Sequence, residues 1–413
     1  MAIHSVALGD IPATAPSVPR RYAWVVFALT FGLLISDYMS RQVLNAVFPL
    51  LKVEWALSDA QLGLLSGIVA VMVGLLTFPL SLLADRWGRV RSLALMAMLW
   101  SLATLGCAVA QNFPQMFAAR FFVGVGEAAY GSVGIAVVIS VFPAHLRATL
   151  TGAFMAGGMF GSVLGMGMGG VLAAHLGWRW AFAGMALFGL LLALLYPLIV
   201  SEKRIAPVAA AEAPRQVGGR SLRSLFGSRS VIAAYLGSGL QLFVAAAVMV
   251  WIPSYLNRYY HLGSGMVLCG ILCDRLGRAN PPRKIILAIG FCLVSCVLLS
   301  IAFHLPPGTT QLSLICLGML VAAGTSGPSG AMVANLTAPA VHGTAFATLT
   351  LANNLLGLAP GPLLTGVLAD RIGLDRAFQL VPLLSILAAL VFLYARRHYH
   401  SDMRRLRGEE EGA

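Results

Sequence analysis

Twelve apolar runs follow one another along this chain, and they limit its fold more than any other feature. About 20 consecutive apolar residues cross the roughly 30 Å hydrocarbon core of a bilayer as a helix. Fifty-nine per cent of the 413 residues are hydrophobic and ten per cent are charged, a balance typical of polytopic membrane proteins. The runs predict an all-α membrane protein with spans at 22–50, 61–83, 92–110, 116–142, 149–175, 180–200, 231–256, 262–273, 285–304, 311–338, 343–368 and 377–395.

Polar and basic segments divide the runs into two groups of six. Residues 1–21 are interpreted as a cytoplasmic tail, 22–200 and 231–395 as two helix bundles, 201–230 as a basic cytoplasmic linker, and 396–413 as a second cytoplasmic tail. With both ends cytoplasmic, 21 of the 28 Lys and Arg residues fall on cytoplasmic segments, which agrees with the positive-inside rule. This bias explains the net charge of +13 without nucleic-acid binding. We expect a multi-pass protein of the bacterial inner membrane.

A charged loop occurs twice, after the second run and after the eighth. The two copies share an Asp-Arg-x-Gly-Arg pattern 189 residues apart, with Asp85, Arg86, Gly88 and Arg89 in the first and Asp274, Arg275, Gly277 and Arg278 in the second. Further along, Gly161 and Gly165 recur 196 residues later as Gly357 and Gly361. Such a repeat predicts two pseudo-symmetric six-helix bundles with a binding site at their interface near the membrane midplane. We predict that the charged loops act as ionic latches between the bundles.

The eighth run is abnormally short. Pro49 and Asp85 are 36 residues apart, whereas the corresponding Pro253 and Asp274 are only 21 apart. The remaining 12 residues, 262–273, rise about 18 Å as a helix, which is less than the hydrocarbon core. Two interpretations stay open: a short helix supported by its neighbours, or the loss of the outer half of this span.

Two charged residues lie inside the fourth run. Arg120 and Glu127 are seven residues apart, so they share one helix face and lie about 10.5 Å apart along the axis. Charge at membrane depth is costly and usually faces a cavity or a partner. Each side chain therefore needs its own partner, on a second helix or on a substrate. We favour a pair that lines a cavity over an anchor between packed helices.

These features together resemble the major facilitator superfamily over residues 22–395. Its Asp-Arg-x-Gly-Arg loop is present in both halves, although Ser81 stands where the family has Gly before the first copy. The segment from Arg120 to Glu127 resembles the fourth span of the spinster-like and anion:cation symporter families. The end of the first span, Tyr38-Met39-Ser40-Arg41, fits the same relatives, with Ser40 in place of their Asp and Asp37 three residues earlier. The resemblance implies a secondary transporter that works by alternating access.

The candidate site residues follow from charge at membrane depth and from this resemblance. Arg120, supported by Arg41, is predicted to bind the negative group of a substrate through charge-assisted hydrogen bonds. Glu127 and Asp37 are predicted to couple transport to protons. Further candidates for the walls of the binding cavity are polar and aromatic residues of the spans: Tyr38, Tyr130, Gln241, Trp251, Tyr255, Asn335, Asn353 and Asn354. For the aromatic residues among them, packing is a commoner role than substrate contact.

The substrate expected from these residues is a small organic anion or an amphipathic metabolite, moved together with protons. A lipid or drug transporter of the spinster-like type is the alternative, and a passive channel or scramblase is a weaker one. The sequence contains no nucleotide-binding loop, metal cluster or nucleophile–base arrangement, so we expect neither an enzyme nor a cofactor or metal. The expected partners are the substrate, protons and membrane lipid, and the expected form is a monomer.

Overall fold

The computed structural model describes residues 18–205, 228–260, 284–337 and 342–411. The short eighth run at 262–273 lies outside these ranges, and so does the second charged loop with Asp274, Arg275, Gly277 and Arg278. Most of the predicted linker and of the N-terminal tail also lies outside them. The described residues contain eleven helices long and apolar enough to cross a membrane. They correspond to the eleven predicted runs other than 262–273, which confirms the all-α membrane fold.

The first half consists of seven α-helices that make six spans, because α4 and α5 together form one span, Phe113–Val141. They are α1 (Arg20–Trp55), α2 (Asp59–Trp87), α3 (Arg89–Val109), α4 (Phe113–Glu127), α5 (Tyr130–Val141), α6 (Ala144–Leu176) and α7 (Trp178–Ile199). A short 3-10 helix, Glu202–Arg204, follows the last span. Successive helices are joined by very short turns. Gly88 and Gly177 adopt positive φ at two of them, which is the backbone conformation that glycine tolerates best.

The second half contains five described spans built from eight α-helices. They are α8 (Arg229–Tyr260), α9 (Lys284–His304), α10 (Thr309–Ala323), α11 (Ser326–Leu336), α12 (His342–Ala352), α13 (Pro360–Ile372), α14 (Leu374–Leu380) and α15 (Leu384–Glu411). A π-helical segment, Asn353–Leu358, joins α12 to α13, and a 3-10 turn, Val381–Leu383, joins α14 to α15. The last helix continues to Glu411, well beyond the predicted end of its span at residue 395.

The ends of the helices form two opposite faces of the bundle, which we define by the helix ends of the first half. The near face holds the start of α1 and the turn between α2 and α3. The far face holds the end of α1 and the start of α2. One buried apolar cluster at the far face contains residues of both halves, including Phe48 and Trp251, whose rings lie 5.2 Å apart. Two further clusters reach towards the near face, and each contains residues of one half only. The halves are therefore joined by apolar packing at the far face.

The two halves use glycines at matched positions for their closest helix contacts. Cβ atoms built at Gly161 and Gly165 of α6 would lie 2.7 Å from the Ile35 carbonyl oxygen and from Met39 Cα of α1. Cβ atoms built at their repeats, Gly357 and Gly361, would lie 2.8 and 2.7 Å from the carbonyl oxygens of residues 239 and 243 in α8. Since 239 − 35 and 243 − 39 both equal 204, α8 repeats α1 at that offset. The repeated glycines therefore allow close helix packing in both halves.

Candidate functional site

Glu127 forms an ion pair with Arg41 in the middle of the first half. Arg41 donates from Nε and Nη2 to Glu127 Oε2, at 3.0 and 2.8 Å. The carboxylate is fully buried, whereas 21% of the Arg41 side chain is exposed. The sequence predicted that Glu127 needs a partner on a second helix or on a substrate. In this state the partner is Arg41 of α1, whose side chain keeps about a fifth of its surface exposed.

Asp37 completes a cluster of three charged side chains. It lies one helical turn before Arg41 on α1, is 5% exposed, and interacts electrostatically with both Arg41 and Glu127. Asp37 Oδ1 and Glu127 Oε1 are buried and have no hydrogen-bond donor. Two neighbouring carboxyl groups can share a hydrogen bond only when one of them carries a proton. The cluster of Asp37, Arg41 and Glu127 therefore has a place for one proton.

Arg120 has a different environment from Arg41. Its side chain is fully buried. Nε donates to the Leu65 carbonyl of α2 at 3.3 Å, and Nη1 and Nη2 donate to the Ser40 and Arg41 carbonyls of α1 at 3.0 and 3.3 Å. In this state Arg120 joins α4 to two neighbouring helices at the level of the charged cluster. That is the anchor arrangement which the sequence ranked second.

The aromatic candidates of the first half differ in accessibility. Tyr38 is half-buried, with its ring 5.6 Å from the Arg41 guanidinium and packed against the backbone at Gly158. Tyr130 is fully buried, donates to the Thr30 carbonyl at 2.5 Å, and makes an edge-to-face contact with Trp100. Tyr38 therefore belongs to the surroundings of the charged cluster, whereas the described contacts of Tyr130 are packing contacts.

Three amide side chains of the second half have a buried oxygen without a donor, namely those of Gln241, Asn353 and Asn354. Gln241 donates from Nε2 to Ser295 Oγ at 3.0 Å, and Asn354 donates from Nδ2 to the Thr350 carbonyl at 2.9 Å. At the 204-residue offset of α8, Gln241 corresponds to Asp37. A neutral amide thus occupies the pseudo-symmetric position of an acid. Asn335 is exposed, and its Nδ2 lies 3.4 Å from Tyr399 Oη.

Trp251 and Tyr255 belong to the far-face core. Trp251 is fully buried and donates from Nε1 to the Pro362 carbonyl at 2.9 Å. Tyr255 is 4% exposed, accepts a hydrogen bond from Gln311 Nε2 at 2.9 Å, and packs against other aromatic rings of the second half. The structure therefore places both side chains in packing at the far face and not beside the charged cluster.

The first charged loop is held by a residue that the sequence prediction missed. Glu202 accepts hydrogen bonds from the backbone N–H groups of Arg89 and Val90, both at 2.8 Å, and so caps the start of α3. The missing side chain of Gly88 leaves room for this carboxylate, since an added Cβ would lie 3.1 Å from Glu202 Cδ. Arg86 is exposed, and the Asp85 side chain lies outside the described part of the structure. The available signal was an acid directly after the sixth run, in a segment that is otherwise mostly basic.

Charged residues at the far face were also missed as a group. Asp370 of α13 contacts the start of α2, and Arg258 of α8 contacts Asp59 of α2. From the sequence they were only isolated charges at span ends. Their meeting depends on how the halves pack.

Comparisons with known proteins agree with this architecture. The model of the Major Facilitator Superfamily matches residues 30–270 and 262–412. The chain is similar to the gallate transporter of Pseudomonas putida, with 28% identity over 428 residues that cover 90% of this chain and 91% of that protein. It is also similar to protein spinster homolog 3 of Danio rerio, with 24% identity over 437 residues, 94% of this chain and 87% of that one.

A solved structure shows the same fold. It is a bacterial homologue of the human lysosomal transporter Spinster in an inward-facing, unoccupied conformation, with a TM-score of 0.81. The match covers 93% of this chain and 99% of that chain, at 18% identity.

Proposed function

Because the chain belongs to the Major Facilitator Superfamily, we propose that it is a secondary transporter that couples a proton to the movement of a small organic anion. The observation that carries this proposal is the cluster of Asp37, Arg41 and Glu127. It combines an accessible cation with two acids that have room for one proton. The similarity to a gallate transporter supports an organic acid as the substrate.

The charges of the cluster define a coupling mechanism. Two ionised carboxylates and one guanidinium sum to −1, and one added proton brings the sum to zero. Arg41 then has two competing anions, Glu127 and the negative group of a substrate. A proton on Glu127 removes its charge and weakens its hold on the guanidinium. The partly exposed Arg41 side chain can then bind the anion, so the proton and the substrate are loaded together.

Arg120 has a supporting role in this mechanism. Its donors contact three backbone carbonyls in the present state, and one of these belongs to Arg41 itself. This bond holds α1 in the register that places Arg41 against Glu127. Direct contact between Arg120 and the substrate, which the sequence predicted, requires some of these bonds to be exchanged in another state.

The arrangement of the halves supports alternating access. The far-face apolar cluster joins the halves, whereas the clusters towards the near face belong to one half each. The basic residues of the sequence favour a cytoplasmic near face. On this orientation the structure corresponds to an inward-facing state, and the site alternates between the cytoplasm and the outside of a bacterial inner membrane.

The experiment that tests the proposal uses the purified full-length chain in proteoliposomes. Accumulation of small hydroxylated acids, beginning with gallate, is measured with and without an inward proton gradient. Exchange of labelled for unlabelled acid without a gradient is measured in parallel. We expect accumulation that depends on the gradient and stops with a protonophore. Equal transport of these acids with and without the proton gradient contradicts proton coupling.

Glu127→Gln tests the cluster directly. The amide keeps the shape of the protonated acid but binds no proton. We expect it to lose gradient-driven accumulation while it keeps exchange. Glu54→Gln is the matched control, because Glu54 binds Trp178 and Arg179 of the same half at the far end of α1, and it should accumulate normally. A Glu127→Gln protein that still concentrates the acid excludes Glu127 as the coupling group.

A further inference from the structure

We infer that four charged residues at the far face, Lys52, Asp59, Arg258 and Asp370, form a latch that exists only while that face is closed. Lys52 and Asp59 belong to the first half, and Arg258 and Asp370 belong to the second. The proposed function places substrate and proton in the centre of the bundle, whereas this far-face latch sets the balance between the two access states. The latch is judged by a distance measurement and not by transport, so the two proposals can fail separately.

The first link of the latch is a helix cap supplied by the opposite half. Asp370 Oδ1 accepts the backbone N–H of Asp59 at 2.7 Å, and Oδ2 accepts that of Ala60 at 2.8 Å. The first N–H groups of a helix have no partner within the helix, and its N-terminal end carries partial positive charge. The Ser58 side chain caps the next N–H, that of Gln61, at 3.1 Å. Asp370 therefore completes a cap that the first half leaves unfinished.

In the second link, a basic side chain of the second half, Arg258, binds an acid of the first half, Asp59. Asp59 is 2% exposed and accepts two hydrogen bonds from Arg258, Nη1 to Oδ2 at 2.8 Å and Nη2 to Oδ1 at 2.6 Å. Lys52 Nζ lies 2.5 Å from the same Oδ1. The paired geometry of guanidinium and carboxylate is the strongest form of a charged hydrogen bond. The four side chains carry two positive and two negative charges, so the closed latch is balanced.

Close backbone contact between α2 and α13 brings the two links into register. Cβ atoms added at Gly63 and Gly67 of α2 would collide with the backbone of Pro362 and Ala359. One added at Gly366 of α13 would collide with the backbone of Asp59. The carboxylate of Asp370, one turn beyond Gly366, thereby reaches the start of α2.

Opening of the far face separates α2 from α8 and α13, so both links must break together. The latch therefore favours the state in which the far face is closed, because its bonds are made in that state and not in the other. Weakening it should raise the population that is open at the far face.

The test measures the width of the far face in the full-length protein. Spin labels are placed at Val53 and Thr310, exposed far-face positions in opposite halves, in a cysteine-free background reconstituted in nanodiscs. Asp370→Asn removes the charge of the cap, and Arg258→Gln removes the paired hydrogen bonds. In each variant we expect the ratio of far-side-open to far-side-closed molecules to rise about tenfold, which corresponds to about 1.4 kcal/mol.

Each variant has a matched control within one half. Asp375→Asn removes a far-face acid that accepts only from Tyr259 of the same half among the described contacts. Arg179→Gln removes an arginine that pairs with Glu54 of its own half. Both controls should keep the wild-type distance distribution. If Asp370→Asn does not fold, the Arg258→Gln and Arg179→Gln pair decides the question. Distributions in Asp370→Asn or Arg258→Gln that match their controls overturn the latch.

Discussion

At the scale of single residues, the two arginines at membrane depth have different environments. Arg41 pairs with Glu127 and keeps about a fifth of its side chain exposed, whereas Arg120 is enclosed by backbone carbonyls. In the proposed mechanism, Arg41 exchanges Glu127 for a substrate. Arg120, which holds three carbonyls of two other helices, stabilises the geometry around it.

Arg120→Lys should therefore lower stability as well as transport. Lysine keeps the positive charge but loses the planar fork that reaches carbonyls on both α1 and α2. Hydrogen bonds that involve a charged group contribute about 1.5–3 kcal/mol each, so a loss of about 3 kcal/mol or more is expected even if lysine keeps one of the three. The measurement is the thermal unfolding of the detergent-purified variant.

Arg147→Lys is the control for this substitution. Arg147 is an exposed arginine of α6 with a single bond to the Phe142 carbonyl, and its replacement should change the unfolding temperature little. If Arg120→Lys unfolds at the wild-type temperature but binds substrate weakly, Arg120 acts on the substrate directly and not as an anchor.

At the scale of elements, α6 carries glycines of two kinds. At Gly165 an added Cβ would lie 2.7 Å from Met39 Cα, where only backbone atoms can yield. At Gly167, half a turn away on the same helix, it would meet nothing within 4 Å. The contact between α1 and α6 that positions Asp37 and Arg41 thus depends on individual glycines of this helix.

The pair Gly165→Ala and Gly167→Ala separates packing from helix propensity. Gly165→Ala should destabilise the protein by about 1–3 kcal/mol, the usual cost of overpacking. Gly167→Ala should be neutral or stabilise it by up to about 1 kcal/mol, since alanine is the better helix former. Thermal unfolding of both variants provides the comparison. Equal effects of the two substitutions contradict close contact at Gly165.

The start of α8 depends on a carboxylate cap from its own half. Asp402 of α15 accepts hydrogen bonds from the Ser230 N–H and the Ser228 hydroxyl, both at 2.9 Å. Burial alone would raise the pKa of Asp402, but the hydrogen bonds from Ser230 and Ser228 outweigh it and hold the pKa below its ordinary value. A carboxylate with a lowered folded-state pKa stabilises the fold fully above its unfolded pKa, about 3.9.

This stabilisation should be lost as the pH falls through the folded-state pKa of Asp402. Asp402→Asn should therefore unfold at a lower temperature than the wild type at neutral pH. The difference between the two proteins should shrink below about pH 4. Unfolding temperatures of both proteins measured from pH 7 to pH 3 test this. A difference that is independent of pH over that range excludes the ionised cap.

At the scale of the whole molecule, the structure combines a central site with a closed far face. The charged cluster lies within one half, whereas the far-face latch links the halves. In the mechanism that we propose, substrate binding and the choice of access state depend on different residues, and a transport cycle requires both. The first charged loop predicted as a latch belongs to the near face, opposite to the four residues that join the halves here. The second lies outside the described residues.

The sequence by itself determined the features that depend on local composition. Apolar runs of span length predicted the eleven membrane spans of the described residues. Such runs form helices because a backbone in lipid must pair its own polar groups. The repeated glycines and the Asp-Arg-x-Gly-Arg pattern predicted two related halves and the family. Arg120 and Glu127 were recognisable as important because charge at membrane depth is costly wherever it occurs.

Only the tertiary structure decided which charges meet. Glu127 pairs with Arg41, 86 residues away, while Arg120 contacts backbone carbonyls. Asp370 caps a helix that starts 311 residues earlier in the chain. Such contacts depend on the rotation and crossing of helices that are far apart in sequence. Periodicity and hydropathy show which face of a helix is buried but not which side chain of another helix lies opposite, so these pairings required the packed bundle.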